Sequence, residues 1–197
     1  MHFAFTSIAS LAVIGVALAE LRSPSFVELL TVPLWFFVAN AAEYFGHKGP
    51  MHRPRAGLGL VYRRHTLEHH RFFTNDVMSY DSPRDFKMVL FPPVMILFFL
   101  GAIAGPIGLG LFLVWGRNVG CLFVATAMGY FLTYEWLHFA YHLPASSFVG
   151  KTALVRTLRR HHQTHHDRAL MGKHNFNITF PICDAIFGTT YRGDRQR

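Results

Sequence analysis

Only two cysteines occur in 197 residues, Cys121 within an apolar run and Cys183 near the end. They supply neither a CxxC pair nor a disulfide framework. No Gly-x-Gly-x-x-Gly run, phosphate-cradling loop or cysteine-nucleophile site is present, so nucleotide-dependent and thiol mechanisms lack their parts. A His-Pro-Gly-Gly haem motif is also missing. Acidic residues are scarce: eleven Asp and Glu stand against nineteen Lys and Arg, giving a net charge of +8. With no long repeat and no low-complexity tract, a single domain over residues 1–197 is expected.

A basic chain first suggests nucleic acid, but the layout of charge points elsewhere. Seventeen of the nineteen basic residues lie in two polar segments, 46–88 and 143–197. Long apolar runs separate and precede them. This is the positive-inside pattern, which places both segments on the cytoplasmic side of a membrane and leaves nucleic acid without a role. Composition agrees: 51% of residues are hydrophobic, twenty are phenylalanine, and the mean hydropathy is positive.

The apolar runs predict the spans. Residues 3–19 read as a retained helix, short for a crossing of ~20 residues. Ala17-Leu18-Ala19 looks like a signal-peptidase site, but no Lys or Arg precedes the run. A second helix is expected from about Ser25 to Phe45, with Pro33 a candidate kink. Residues 94–137 must hold two crossings, with a break between Gly105-Pro106 and Arg117-Asn118. Pro144 ends the last helix, residues 145–150 form a linker, and Lys151 to Arg160 starts a basic helix. The stretch from His174 to Gly188 reads as a short amphipathic element on the core or bilayer surface.

The chemistry lies in histidine. Four histidines fall within residues 161–166. On an α-helix at about 100° per residue, His162, His165 and His166 share a face, and His161 also reaches His165 at i+4. Which of His161 and His162 faces inward is left open by the spacing. Three further groups precede this one: His47 and His52, then His65, His69 and His70, then His138 and His142. Counting one member of the 161/162 pair, ten imidazoles are too many for one ion and suit two. His47 and His52 are about 140° apart on a regular helix and are expected to approach different ions. His65 and His69 share an α-helical face from which His70 turns away. Glu43 and Glu135, four and three residues before His47 and His138, are expected to accept the outer ring N–H of those imidazoles.

Further motifs accompany the histidines. Phe91-Pro92-Pro93 precedes a helical hairpin, and Gly129-Tyr130 leads to Tyr134-Glu135-Trp136-Leu137-His138. Asn175-Phe176-Asn177-Ile178-Thr179 leads to Asp184 and Phe187-Gly188-Thr189. Together with the four histidine boxes these resemble the fatty acid hydroxylase superfamily, over about residues 35–190. Phe-Pro-Pro and the last box are most similar to its fatty-acid 2-hydroxylase branch.

That resemblance implies an all-α, polytopic membrane protein with about four transmembrane helices in two hairpins under a cytosolic helical cap. It implies oxygen-dependent hydroxylation of a C–H bond in a long-chain lipid at two iron ions, with electrons from a separate redox protein. Zinc can replace iron at imidazole sites in a purified protein. Carried over residue by residue, the ligands are His47, His52, His65, His69, His70, His138, His142, His162, His165 and His166. The second box is HxxxHH where the hydroxylase branch more often has HxxHH, so the family pattern supports His65 least. Asn177 stands where Gly is common, a change tolerated because Asn also adopts positive φ. Sterol or carotenoid hydroxylation and lipid desaturation share the chemistry and stay open. Outside enzymes, the alternative is a histidine-rich metal- or haem-binding membrane protein. Transport would put the histidines inside the spans, bis-His haem would need one or two pairs, and structural zinc four ligands.

Overall fold

The computed structural model describes residues 2–193, and among them there are helices and turns but no strand. Helix α1 runs His2–Ala19. Ser25 then caps one turn, Phe26–Leu29, accepting from the Glu28 N–H while the Glu28 carboxylate accepts from the Ser25 N–H, a capping box. Helix α2 follows over Thr31–Gly46. The interruption falls at Leu30, not at Pro33. A proline ring offers no N–H to the carbonyl four residues back and crowds it, so the disturbance appears ahead of the proline.

Helix α2 passes directly into a π-wound turn, His47–Met51. A second π-wound stretch, Arg63–His69, lies between the turns Gly59–Tyr62 and His70–Phe72. After Phe86–Val89, residues 94–115 are helical throughout, ending in α3, Gly105–Trp115. Gly116 turns the chain at φ +96, so the break sits at the later edge of the window expected for it. Helix α4 spans Arg117–Tyr141, α5 spans Ala153–His165 and α6 spans Ile182–Ile186. Two segments, Phe26–Met51 and Pro83–Trp115, are long and apolar enough to cross a membrane, while Phe3–Ala19 is shorter.

The chain divides into two compact units. The first joins Met1–Ala39 to Phe91–Glu135. Its core is Ile96, Ala104, Phe123, Ala127 and Met128, with Trp35 edge-on to Phe123 at 4.5 Å. Asn118 ties the connection after α1, accepting from the Arg22 N–H and donating to the Arg22 carbonyl and Glu28. Leu113, Val114 and Trp115 stay exposed on the outside, as lipid-facing side chains would.

The second unit joins Asn40–Leu90 to Trp136–Arg197. Its interior contains part of the segment expected on the core or the bilayer surface: Asn175, Phe176, Asn177, Ile178 and Thr179 are all buried. Such a stretch has no ladder for its backbone polar groups, so side chains supply partners. Asn40 donates to the Phe180 carbonyl, and Tyr141 donates to the Ile178 carbonyl. Asn177 corrects the conformational expectation, because positive φ belongs to Asn175, at +58. Asn177 contributes its amide, donating to the Asn40 carbonyl and accepting from the Cys183 and Asp184 N–H groups.

Close approach of α3 and α4 depends on glycine. A Cβ on Gly120 would stand 2.8 Å from the Gly108 carbonyl oxygen and 2.7 Å from Phe112 Cβ. Gly120→Ala is expected to cost about 1–3 kcal/mol by overpacking, read as a lower melting temperature in detergent. Gly110→Ala, with nothing within 4 Å of its Cβ, should be neutral or stabilising.

Candidate metal centre

All ten histidines of the four boxes lie in the second unit and face one another. Nitrogens of His47, His52, His65, His70 and His165 lie within 4.8 Å of each other, as do those of His69, His138, His142 and His162. His166 adjoins the latter, its Nε2 at 3.0 Å from His162 Nε2 and 3.2 Å from His69 Nε2. The two sets are neighbours, the His70 and His166 rings being 4.3 Å apart. All but His52 are buried.

Local winding produces the sorting. In a π-turn the N–H of residue i+5 bonds to the carbonyl of residue i, so positions five apart stack. His47 and His52 are five apart across such a turn, at which Gly49 leaves helical angles. They therefore join the same set, Nε2 to Nε2 at 3.2 Å, rather than approaching different ions. His65 and His70 are likewise five apart through π winding and meet at 3.0 Å. His69 turns its Nε2 to the other set although its ring stacks on that of His65, centroids 5.4 Å apart, and His70 does not turn away from that face. The α-wound boxes achieve the same pairing at i+4, His138 with His142 and His162 with His166. His165, between the last two, crosses to the first set.

Helix α5 resolves the 161/162 pair. Thr152 caps it, and Val155, Leu158, His162 and His165 form its buried stripe. His161 lies off that stripe and donates to Asp184 at 3.1 Å. His174 is outside both sets and bonds through its ring to the Thr189 carbonyl.

The outer ring nitrogens show what the inner ones are for. Nδ1 of His69, His142, His165 and His166 meets the backbone carbonyls of Met88, Met78, His174 and Phe73 at 2.7–2.9 Å. His47 Nδ1 meets the Phe176 carbonyl, and His52 Nδ1 the Thr66 hydroxyl oxygen at 3.4 Å. A carbonyl only accepts, so Nδ1 carries the proton and Nε2 of the neutral ring is a bare lone pair. The rings are neutral: burial, helped by repulsion from His165 and His69, pushes His52 down to about 2. Burial takes His69 to about 4 against the opposing bond from Met88. Burial first, and neighbouring imidazoles second, hold His65, His70, His162 and His166 well below the ordinary value. Where both outer nitrogens are so held, lone pair faces lone pair, His47 and His52 at 3.2 Å, His52 and His165 at 2.9 Å and His69 and His166 at 3.2 Å, an arrangement that repels unless a cation lies among them. Nitrogens ~2.0–2.2 Å from one ion are separated by about 3 Å when at right angles to each other. The donor set fits a metal ion in each half.

The two carboxylates expected to support His47 and His138 hold backbone N–H groups of neighbouring loops. Glu43 accepts from the Thr179 N–H and hydroxyl and from the Ile178 N–H. It grips the loop whose Phe176 carbonyl holds His47, and so acts one step further out. Glu135 Oε1 accepts from the Phe91 N–H, and Oε2 has no partner. That N–H precedes Pro92-Pro93, where the chain leaves helical pairing and needs a side-chain acceptor. The five carbonyls had no signal in the sequence, because main-chain oxygen has no residue-type signature. Asp184 was visible only as a motif position.

Acid should weaken the metal-free protein. Each buried ring takes its proton only far below the ordinary value of 6.5, whereas the unfolded chain takes it near 6.5. The unfolded state thus binds more protons as pH falls through that point, and stability drops. Melting temperature of chelator-treated protein in detergent is expected to decline from pH 7.5 to 5. A flat profile would mean that the folded rings take up protons as the unfolded chain does.

A model of the fatty acid hydroxylase family matches residues 32–189. No curated protein matches the chain. A solved structure described as full-length Scs7p, with only the hydroxylase domain visible, aligns with a TM-score of 0.64 at 19% identity. The alignment covers 94% of this chain and 64% of that one, and at such identity it speaks for the fold alone. The family match takes in all four histidine boxes and most of the chain: this protein belongs to the fatty acid hydroxylase family.

Proposed function

We propose that the protein is a membrane-bound, non-haem di-iron oxygenase that hydroxylates a C–H bond of a long-chain lipid, a fatty acid or acyl lipid. The observation that carries this reading is the pair of adjacent five-imidazole sets. His47, His52, His65, His70 and His165 would hold one ion, and His69, His138, His142, His162 and His166 the other. Five donors per ion exceed the four of a closed structural zinc site. Iron bound there supplies the redox chemistry that activates dioxygen toward an unactivated C–H bond. The overall change is RH + O2 + 2 electrons + 2 protons to ROH + H2O. No haem motif or nucleotide loop provides those electrons, so a separate redox protein delivers them.

The residues of this chain supply neutrality, orientation and dryness. His47, His69, His142, His165 and His166, held by carbonyls as Nδ1–H tautomers, present lone pairs inward, so metal binding displaces no proton from them. Their burial keeps bulk water from the donors.

Membrane placement supports a lipid substrate. Helix α4 has 25 residues, about 37 Å at 1.5 Å each, enough for a hydrocarbon core of ~30 Å. With Phe26–Met51, the helical run 94–115 and α1, it makes the four-span topology in two hairpins. The basic segments then carry both imidazole sets on the cytoplasmic side. Single cysteines at the exposed positions Ala56 and Gly172 should both label from the cytoplasmic face, and labelling from opposite faces would refute this topology.

The chemistry is tested by His165→Ala. Its loss removes one donor and the link from α5 to the first set. The variant should insert in the membrane, lose iron and lose hydroxylated lipid in mass spectrometry of cells, relative to wild type. Full iron content with unchanged lipid product would overturn the di-iron reading.

A further inference from the structure

The two imidazole sets are held from outside by different pieces of chain. His47 and His165 donate to the carbonyls of Phe176 and His174. His69, His142 and His166 donate to carbonyls between Phe73 and Met88. A carbonyl orients a ring only as firmly as its own peptide is fixed.

The 174–179 loop is fixed by two carboxylates. Asp184, fully buried, accepts from the N–H groups of Phe176 at 2.9 Å and Asn177 at 2.8 Å. Glu43 accepts from the next two, Ile178 and Thr179. Four successive N–H groups, on a stretch without helix or strand pairing, thus converge on two anions. Asp184 is itself anchored by the Thr189 hydroxyl at 2.6 Å and by His161 at 3.1 Å. The 73–88 stretch is tied differently, by Gln163 to the Asn75 carbonyl at 2.6 Å and by Arg159 to the Ser79 hydroxyl at 3.0 Å.

We propose that Glu43 and Asp184 form a carboxylate clamp that positions the first imidazole set alone, so that the two metal positions are loaded independently. This rests on the metal reading given above. Both are positioning residues, acting through the loop backbone. Asn at position 184 would keep the size but turn an NH2 toward a backbone N–H, donor against donor. The loop would shift, and His47 and His165 would lose the carbonyls that fix their tautomers. Outer-sphere losses of this kind typically lower metal affinity ~10–100-fold. The partners of the second set are untouched by the change.

The test uses purified full-length protein in detergent, titrated anaerobically with ferrous ion. Metal bound per chain is measured together with deuterium exchange at each imidazole C2–H, which a bound metal slows. Wild type is expected to bind two ions and to protect rings of both sets. Asp184→Asn should bind one ion tightly and the second 10–100-fold more weakly. Protection should be lost at His47 and His165 and kept at His142 and His166. Arg159→Met should show the reverse pattern. Should Asp184→Asn fail to fold, Thr179→Val decides the matter, because it deletes the hydroxyl bond to Glu43 at nearly constant shape. It should give the same ring pattern with a smaller affinity change. Equal loss from both sets, or none from either, in a wild type that binds two ions would overturn the clamp alone. A wild type that binds fewer than two would overturn the two-metal reading and the clamp with it.

Discussion

The structure turns on the repulsion between imidazole lone pairs. Ten neutral rings with Nε2 atoms about 3 Å apart make a poor core by themselves: each buried acceptor has given up water and faces other acceptors. A buried polar atom without a partner costs about 1–3 kcal/mol, and here such atoms are gathered rather than scattered. Nothing in the apolar packing of Tyr44, Phe176 and Cys183 requires this arrangement. A cation in each set turns the same geometry from costly to favourable, which makes metal loading and the stability of the second unit one quantity.

That requirement explains the uneven spacing of the boxes. The later boxes place their paired rings at i and i+4 on α-helix, His138 with His142 and His162 with His166. The earlier boxes place theirs at i and i+5, His47 with His52 and His65 with His70. An extra residue in an α-helix would swing the second ring off the face by about 100°. Winding the segment as a π-helix absorbs that residue, and both earlier boxes are wound so. The second box therefore reads HxxxHH yet delivers its rings as HxxHH does in the fourth. His65, the position least supported by family pattern, sits as deep in its set as any other. The π-turns are a response to box spacing, and single-residue changes of spacing in this fold are tolerated where backbone winding can follow.

Much of this was legible in the sequence because ligating side chains cannot be disguised. Imidazole recurs at helical spacing, and no other residue type substitutes for it, so the ten positions were visible and only the choice between His161 and His162 was open. The apolar runs 3–19 and about 25–45 and the basic stretch from Lys151 were also plain, and they form His2–Ala19, Phe26–Leu29 with Thr31–Gly46, and Ala153–His165. What failed was angular: assuming α winding separated His47 from His52 and turned His70 away from His65, which it meets at 3.0 Å. Periodicity reports which residues are apolar, whereas π winding is chosen by tertiary demand and leaves no apolar signature of its own. The place of the loop 174–179, on the core or on the bilayer surface, stayed open for a related reason. Its polar Asn and Thr residues suit either, and Asn40, Asn177, Glu43 and Asp184 satisfy its backbone inside the unit.

The choice of backbone carbonyls as outer partners has an electrostatic consequence. A carboxylate directly on each Nδ1–H would add negative charge to every ligand and drain the cationic character of the bound ion. Carbonyls fix the same tautomer through a dipole and leave the set formally neutral. The two carboxylates that might have served instead, Glu43 and Asp184, stand one peptide away and spend their charge on N–H groups of the loop. An ion held in the first set would thus have anions nearby that steady its surroundings, and neutral nitrogen donors would leave it electron-poor. The clamp and the neutral ligand set are two sides of one arrangement: charge is placed where it orders the backbone and withheld from the rings.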